Sequence, residues 1–129
     1  MMTYYINKTL HKNFNEAVTL VKEALKEEGF GVLSEIDVHD TLKKKLNVDF
    51  RKYKILGACN PPYAHKALLS EPNVGTMLPC NVVVQETEKN QIEVTAINPV
   101  DSMKAIENNE LKEIAGEIKN KLKKVIDSL

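Results

Sequence analysis

The chain has 129 residues, of which 43% are hydrophobic, and this is the size of one ordinary domain with a core of its own. Its 18 Lys and Arg residues balance 18 Asp and Glu residues, so the sequence lacks the basic surplus that binds nucleic-acid phosphates. No apolar run is long enough to span a membrane or to act as a signal peptide, and we therefore expect a cytoplasmic protein. Two cysteines are too few for a disulfide framework, so we expect free thiols.

The first third of the chain predicts strand, helix, strand and helix. Residues 2–8 predict a short strand, and residues 14–28 predict a helix that Asn13 and Glu16 open as a capping box and Gly29 ends. An alternating pattern follows, which places Phe30, Val32, Ile36 and Val38 on one side of a half-buried strand, with Glu35 and Asp37 on the other. Residues 41–46 predict a short helix with Asp40 as its cap.

The stretch 53–81 carries both cysteines and predicts strand, helix, loop and strand. Residues 53–59 form a strand that shows Tyr53, Ile55, Gly57 and Cys59 on one face, with Lys54, Leu56 and Ala58 on the other. Asn60 is the predicted N-cap of helix 61–69, and Pro61 is its first residue. A loop at 71–76 leads to strand 78–86, which pairs as a hairpin with strand 91–97.

The last segment predicts a long amphipathic helix that begins near Asn108. Long helices at both ends of the order, with one-sided strands between them, predict an α+β fold in which a single curved antiparallel sheet is covered by helices on one face. The other face is predicted to be half apolar, with Leu56, Ala58, Val83 and Ile97 among polar side chains. An open face of this kind usually meets a partner, and we expect a homodimer.

The two cysteines define the candidate site, because both are predicted to point toward the helix-covered side of the sheet. The amides that follow them and the nearby prolines and histidine complete a group of ligand-binding or thiol-site candidates: Cys59, Asn60, Pro61, His65, Pro79, Cys80 and Asn81. Buried cysteines are often inert core residues, and Asn60 is equally explained as a helix cap. Both interpretations remain open for every residue of the group.

Three kinds of thiol chemistry are compatible with the pattern. Lowering a thiol pKa by two units takes about 2.7 kcal/mol, whereas a helix terminus supplies about 0.3–1 kcal/mol, so the helix that follows Cys59 does not by itself create a reactive thiolate. A redox pair of Cys59 and Cys80 depends on their approach in space. A metal site needs further ligands, and His11, His39 and His65 show no metal-ligand spacing. The sequence predicts no particular cofactor and no metal.

The segments GFGVLSEIDV, YKILGACNPPYAHKAL and EPNVGTMLPCNVVV, with the closing helix, resemble the domain-of-unknown-function family 302 over nearly the whole chain. The resemblance implies a fold related to the TATA-binding-protein-like class, with frequent homodimers, and it implies no activity. Because the net charge is zero, the likeness in fold to the TATA-binding-protein-like class does not imply DNA binding for this chain. The positions it marks as site candidates are Gly29, Phe30, Cys59, Pro61, Leu78, Pro79, Cys80 and Asn81.

Two functions follow as hypotheses. The first is a homodimeric module that binds a small ligand or a protein near the two-cysteine corner. The second is a thiol-dependent redox, metal-binding or cofactor-binding protein that uses Cys59 and Cys80.

Overall fold

The computed structural model describes residues 3–129, in which five strands and five α-helices follow one another. The strands are Tyr5–Leu10 (β1), Gly31–Asp37 (β2), Tyr53–Cys59 (β3), Cys80–Glu88 (β4) and Gln91–Ile97 (β5). The helices are Phe14–Glu27 (α1), Val38–Leu46 (α2), Pro61–Ser70 (α3), Pro99–Ser102 (α4) and Asn109–Asp127 (α5), with a 3-10 helix at Pro72–Met77. Met2, where the predicted first strand begins, lies outside the described residues.

The strands form one sheet in the order β1-β5-β4-β3-β2, in which every neighbouring pair is antiparallel. The long helices α1 and α5 contact each other and cover one face of this sheet. The side chains that the middle of β4 and of β5 direct to that face are fully enclosed, as for Val82, Val84 and Val94. The prediction of an α+β fold with one antiparallel sheet and helices on one face is confirmed.

The two long helices begin at asparagine caps. The Asn13 Oδ1 atom accepts a hydrogen bond from the Glu16 N–H at 2.8 Å, and the Asn108 Oδ1 atom accepts one from the Leu111 N–H at 3.0 Å. Such a cap satisfies one of the N–H groups that a helix start leaves without an intrahelical partner. The predicted helix 14–28 is confirmed. The stripe that α5 buries in the core consists of Leu111, Ile114, Ala115, Ile118, Leu122, Val125 and Ile126.

The faces predicted for β3 are reversed in the structure. Leu56 and Ala58 are buried under the helices, where they pair with Val82 and Cys80 of β4. Apolar residues occupy both faces of β3, so alternation alone does not tell which face is covered. The pairing with β4 decides which face of β3 is covered. Leu56 and Ala58 pair with Val82 and Cys80, which lie on the face of β4 that the helices bury.

A β-bulge in β2 reverses the sheet face to which each side chain in the second half of that strand points. The register with β3 shifts between Val32 and Ser34, after which Ile36 pairs with Ile55 on the uncovered face. The prediction that Ile36 shares a side with Val32 is therefore wrong, since one extra residue at a bulge reverses every later side chain. Glu35 instead faces the helix side, where its carboxylate lies 2.7 Å from the Lys22 Nζ atom.

Helix α2 starts three residues earlier than predicted, with Asp37 rather than Asp40 at its N-cap. None of its residues is fully buried. The imidazole of His39 fastens the helix to the sheet, because its Nδ1 atom accepts a hydrogen bond from the Tyr53 N–H at 3.0 Å. The connection predicted as a loop at 71–76 forms the 3-10 helix.

The uncovered side of the sheet is called the open face below. Its middle row crosses all five strands through paired residues, in the order Asn7, Thr95, Val83, Ile55 and Ile36. The first two residues of the row are polar and the last three are apolar, so this row is apolar over β4, β3 and β2. The neighbouring positions on the same face include the polar residues Ser34, Asn81 and Gln85. Within residues 3–129, no helix has both the length and the apolar character that crossing a membrane requires.

Candidate functional site

The two cysteine motifs meet where β3 ends and β4 begins. Ala58 pairs with Cys80, and Gly57 pairs with Asn81. Cys59 is the last residue of β3, so it stands one residue beyond the Ala58–Cys80 pair and is half-buried. Cys80 is buried with only 5% of its surface exposed, and both thiols are free. The structure thus brings the two motifs together at the end of β3. The prediction that both thiols point to the helix-covered side is confirmed for Cys80 and is wrong for Cys59, which shares its strand face with Ile55 and Gly57.

A small cavity lies at this corner, between the strand ends and helices α3 and α5. The cavity leaves about 20 Å³ open to the centre of a water-sized sphere. A site needs about 10–15 Å³ by this measure to hold one water molecule, so there is room for little more than one small atom group. Both cysteines line the cavity, together with Asn60 from the start of α3 and Phe30, Met103 and Ile114 from the surrounding core.

The environment keeps Cys80 protonated at neutral pH. Burial raises the pKa of the Cys80 thiol from 9.0 to about 11, and repulsion from a negative charge on nearby Cys59 adds to the rise. With this pKa only about one molecule in ten thousand carries the Cys80 thiolate at pH 7. Since the thiolate is the attacking form in thiol chemistry, Cys80 is a poor nucleophile at that pH.

Asn60 does not cap α3, contrary to the prediction. It occupies the N-cap position without a side-chain cap hydrogen bond, and its Nδ2 atom donates instead to the Glu28 carbonyl at 3.1 Å. That carbonyl belongs to the end of α1, which Gly29 follows in a left-handed conformation with φ of +86°. Asn60 therefore ties α1 to the beginning of α3 at the wall of the cavity.

A groove lies at the same corner on the open face. Its lining comes from the 3-10 helix, β4, β5 and α4 and includes Thr76, Pro79, Asn81, Ile97 and Ser102, around a volume of about 260 Å³. Asn81 is exposed, and within residues 3–129 its side-chain amide has no hydrogen-bonding partner. The Leu78–Pro79 peptide bond is cis, and both of its residues line the cavity as well as the groove.

The remaining candidates lie outside both recesses. Pro61 and His65 are exposed on α3 and line neither the cavity nor the groove. His39 is bonded to Tyr53 at the other end of β3. In the part of the chain that the structure describes, no three His, Cys, Asp or Glu side chains are gathered in a way that could hold a metal ion.

Several residues of the site were not predicted. Met103 follows α4 and is buried against the cavity beside Ile114 and Ile118 of α5. Ser102 and Thr76 contribute hydroxyl groups to the groove. No sequence motif marks these residues, because they reach the corner through the packing of α4 and of the 3-10 helix. Pro79 in LPCN is the one local signal, since proline favours a turn at this point.

These features define a class of protein: an α+β chain with a five-stranded antiparallel sheet, helices on one face, and two free thiols where β3 and β4 meet. The sequence profile of the family described as Domain of unknown function DUF302 matches residues 6–129. The chain belongs to this family.

A solved structure supports the assignment. The chain resembles the crystal structure of an uncharacterized conserved protein DUF302 from Bacillus stearothermophilus with a TM-score of 0.90 and 31% sequence identity, over 98% of each chain. The comparison with curated proteins gives no match.

Proposed function

We propose that this protein is a homodimeric binding module in which the open face of one copy packs against the open face of another. The observation that carries the proposal is the apolar row on that face. Val83 and Ile55 are half-buried, and Ile36 at the sheet edge is 49% exposed. A contiguous apolar surface of this kind costs free energy in water until a partner covers it.

The size of the surface supports a second copy as the partner. Strands that mostly have seven residues and four inter-strand spacings give the open face about 23 Å by 19 Å, or about 440 Å². A stable interface buries about 800 Å² on each partner, so the strands alone supply about half of it. Phe50 is exposed and extends the apolar surface beyond β3, because its ring lies near that of Tyr53 on the open face with ring centroids 6.1 Å apart. Leu46 and Val48 in the preceding segment are exposed as well.

Charge also favours self-association. The formal net charge is zero, so two copies approach without long-range repulsion. On the open face the only carboxylate in the middle of β5, Glu93, accepts hydrogen bonds from Asn7 at 3.2 Å and from Thr95 at 3.3 Å. The carboxylate therefore enters the interface already partnered, which lowers the cost of covering it.

The groove at the corner is the proposed ligand-binding part of the module. Its volume of about 260 Å³ is close to the lower end of the range of small-molecule sites, about 300–1,000 Å³. Apolar walls from Pro79 and Ile97 and the exposed amide of Asn81 suit a compact molecule with one apolar side and a hydrogen-bonding group. The nearby cavity, with about 20 Å³, is too small for such a molecule.

Analytical ultracentrifugation tests the dimer. We expect a dimer for the natural sequence and a shift to monomer for Ile36→Lys, because a lysine on the apolar row places a charge in the interface. Leu69→Lys is the matched control, since Leu69 is 72% exposed on α3, away from the open face, and its substitution leaves the dimer intact. A monomeric natural protein, or equal effects of the two substitutions, overturns the proposal.

Native mass spectrometry of the purified protein reports the groove ligand together with the dimer mass. A molecule that stays bound to the natural sequence and is lost in Asn81→Leu supports ligand binding at the groove. Thiol redox chemistry is the weaker alternative, because the high pKa of Cys80 leaves almost no thiolate at neutral pH.

A further inference from the structure

Three sulfur atoms of different parts of the chain belong to residues that line the cavity at the corner. Cys59 comes from the end of β3, Cys80 from the start of β4 and Met103 from the segment after α4. The chain has two cysteines and four methionines, and both cysteines and one of the methionines are among the residues that line this single small cavity. A cysteine that only fills space in the core does not need a second cysteine and a methionine beside the same cavity.

The other groups around the cavity exclude most ligands. Among the described residues that line it, Asn60 is the only one with a nitrogen or oxygen side chain, and its Nδ2 atom already donates to the Glu28 carbonyl. Hard cations such as Mg²⁺ and Ca²⁺ take six or more oxygen ligands, which this cavity lacks. Its volume of about 20 Å³ also excludes organic molecules and clusters, but it admits one ion.

Sulfur ligands select soft metal ions, and the number of ligands separates the candidates. Structural Zn²⁺ sites and iron–sulfur clusters use four protein ligands, and Zn²⁺ sites with three protein ligands hold a water molecule as well, whereas the cavity offers three sulfur residues and room for little more than one ion. Cu⁺ is stable with two or three thiolate and thioether ligands.

We propose that Cys59, Cys80 and Met103 form a binding site for one Cu⁺ ion. On binding, the ion forms a bond to each of the two cysteine sulfurs and the proton of each thiol leaves to solvent, so that copper stays in its reduced state and no electron is exchanged. The Met103 thioether completes the coordination as a neutral donor. Cys59 is half-buried and forms the entry from solvent, while Cys80 and Met103 are buried with 5% and 3% of their surfaces exposed.

The test is an oxygen-free competition in which the protein takes Cu⁺ from its coloured complex with bicinchoninate. We expect one ion per chain, and a loss of affinity of about tenfold or more for Met103→Leu, since even indirect disturbance of metal sites costs about 10–100-fold. Met77→Leu is the matched control, because Met77 belongs to the groove and does not line the cavity. Cys59→Ala and Cys80→Ala are each expected to weaken binding more than Met103→Leu.

Separate control experiments test whether the variants fold and whether copper binding depends on the dimer. Circular dichroism shows whether Cys80→Ala still folds, and Cys59→Ala, at a half-buried position, provides a second thiol variant if it does not. Titration with Ag⁺ by native mass spectrometry repeats the stoichiometry with a soft ion that air does not oxidise. The site lies within one chain, so the monomeric Ile36→Lys variant is expected to bind Cu⁺ as the natural sequence does. Failure to compete with bicinchoninate, or equal losses in Met77→Leu and Met103→Leu, overturns the copper site and leaves the dimer proposal standing.

Discussion

The side-chain amide of Asn60 donates a hydrogen bond to the main-chain carbonyl of Glu28 at 3.1 Å, although Asn60 stands at the N-cap position of α3. Asn60 is buried, with 7% of its surface exposed. The bond joins the end of α1 to the point where the chain leaves β3, so it fixes the wall of the cavity from two elements that are distant in sequence. The side chain at position 60 must therefore donate a hydrogen bond, whereas an ordinary N-cap side chain accepts one.

This relationship predicts the effect of Asn60→Asp. Aspartate is as good a helix N-cap as asparagine, but its carboxylate has no N–H to donate and would face the Glu28 carbonyl oxygen. We expect Asn60→Asp to lower the free energy of unfolding by about 1 kcal/mol or more, because it removes the hydrogen bond to the part-buried Glu28 carbonyl. Urea denaturation at neutral pH measures the change.

Asn13→Asp is the matched control for this substitution. The side chain of Asn13 accepts a hydrogen bond from Glu16 N–H, as a true N-cap does, and a negative charge at the start of α1 is favourable. The free energy of unfolding of Asn13→Asp is expected to equal or slightly exceed that of the natural sequence. Equal behaviour of the two aspartate variants would mean that Asn60 acts as an ordinary cap.

Gly29 is predicted to resist substitution for two independent reasons. Its φ of +86° is strained for a residue with a side chain, and an added Cβ atom would lie 3.2 Å from the Asn60 Nδ2 atom. We expect Gly29→Ala to lower the free energy of unfolding by at least about 1 kcal/mol. Thermal and urea unfolding measure the effect.

Gly116→Ala is the matched control for Gly29→Ala, and it is expected to raise the free energy of unfolding instead of lowering it. Gly116 lies inside α5, and a Cβ atom added there meets nothing within 4 Å. Alanine is favoured over glycine in a helix by about 0.5–1 kcal/mol, so this variant is expected to gain stability. A Gly29→Ala protein as stable as Gly116→Ala would show that the chain after α1 relaxes without cost.

The sequence predicted elements well where one face of a segment was unambiguous. Helix α1 was predicted because Asn13, Glu16 and Gly29 mark its ends and its buried stripe has a polar opposite face. The face of β4 that carries Cys80 was predicted for the same reason. For β3, Ile55 and Leu56 offer an apolar residue to each face, and the choice between them depends on pairing with β4.

The candidate site was predictable only in part. Adjacent strands bring Cys59 and Cys80 to one corner, and their motifs marked that corner in the sequence. The contribution of Met103 depends on how α4 packs on α5, and the bulge after Val32 depends on how β2 meets β3. Both are long-range packing choices that no local spacing of residues encodes.

The raised pKa of Cys80 predicts a loss of stability in alkaline solution. The folded thiol has a pKa of about 11 against 9.0 for an exposed one, so the folded state holds its proton more tightly. Its contribution is therefore complete below pH 9 and is lost as the pH rises from about 9 to 11, by about 2–3 kcal/mol at most. Urea unfolding of the natural sequence and of Cys80→Ala across this range measures the difference.

Comparing variants removes the titration of other groups from this measurement. Lysine and tyrosine titrate in the same range in both proteins, so only the difference between their pH profiles reports Cys80. We expect Cys80→Ala to be less stable at pH 8, because it leaves a gap in the core, and to lose less stability than the natural sequence between pH 9 and 11. Cys59→Ala should retain most of the alkaline loss. Parallel profiles for the natural protein and Cys80→Ala would contradict the assignment.

The ion pairs of Glu35 predict a small loss of stability in acid. The carboxylate bonds Lys22 Nζ at 2.7 Å and Lys54 Nζ at 3.3 Å, and these partners hold the pKa of Glu35 below its usual 4.5. Since the folded pKa is lowered, the stabilisation is present above pH 4.5 and is lost as the pH falls through the folded pKa. Solvent screens this half-exposed cluster, so Glu35→Gln is expected to cost no more than about 1 kcal/mol at neutral pH.

The test compares Glu35→Gln with Glu23→Gln in urea at pH 7 and at pH 3, in low and high salt. Glu23 is exposed on α1 and has no ion pair among residues 3–129, so it serves as a control for removing one negative charge. We expect the cost of Glu35→Gln to shrink at pH 3 and in high salt, because protonation and screening both weaken the pairs that the glutamine lacks. A cost that is unchanged by both conditions would contradict the prediction. The effect of Glu35→Gln would then come from the packing of this side chain at the bulged strand and not from its ion pairs with the lysines of α1 and β3.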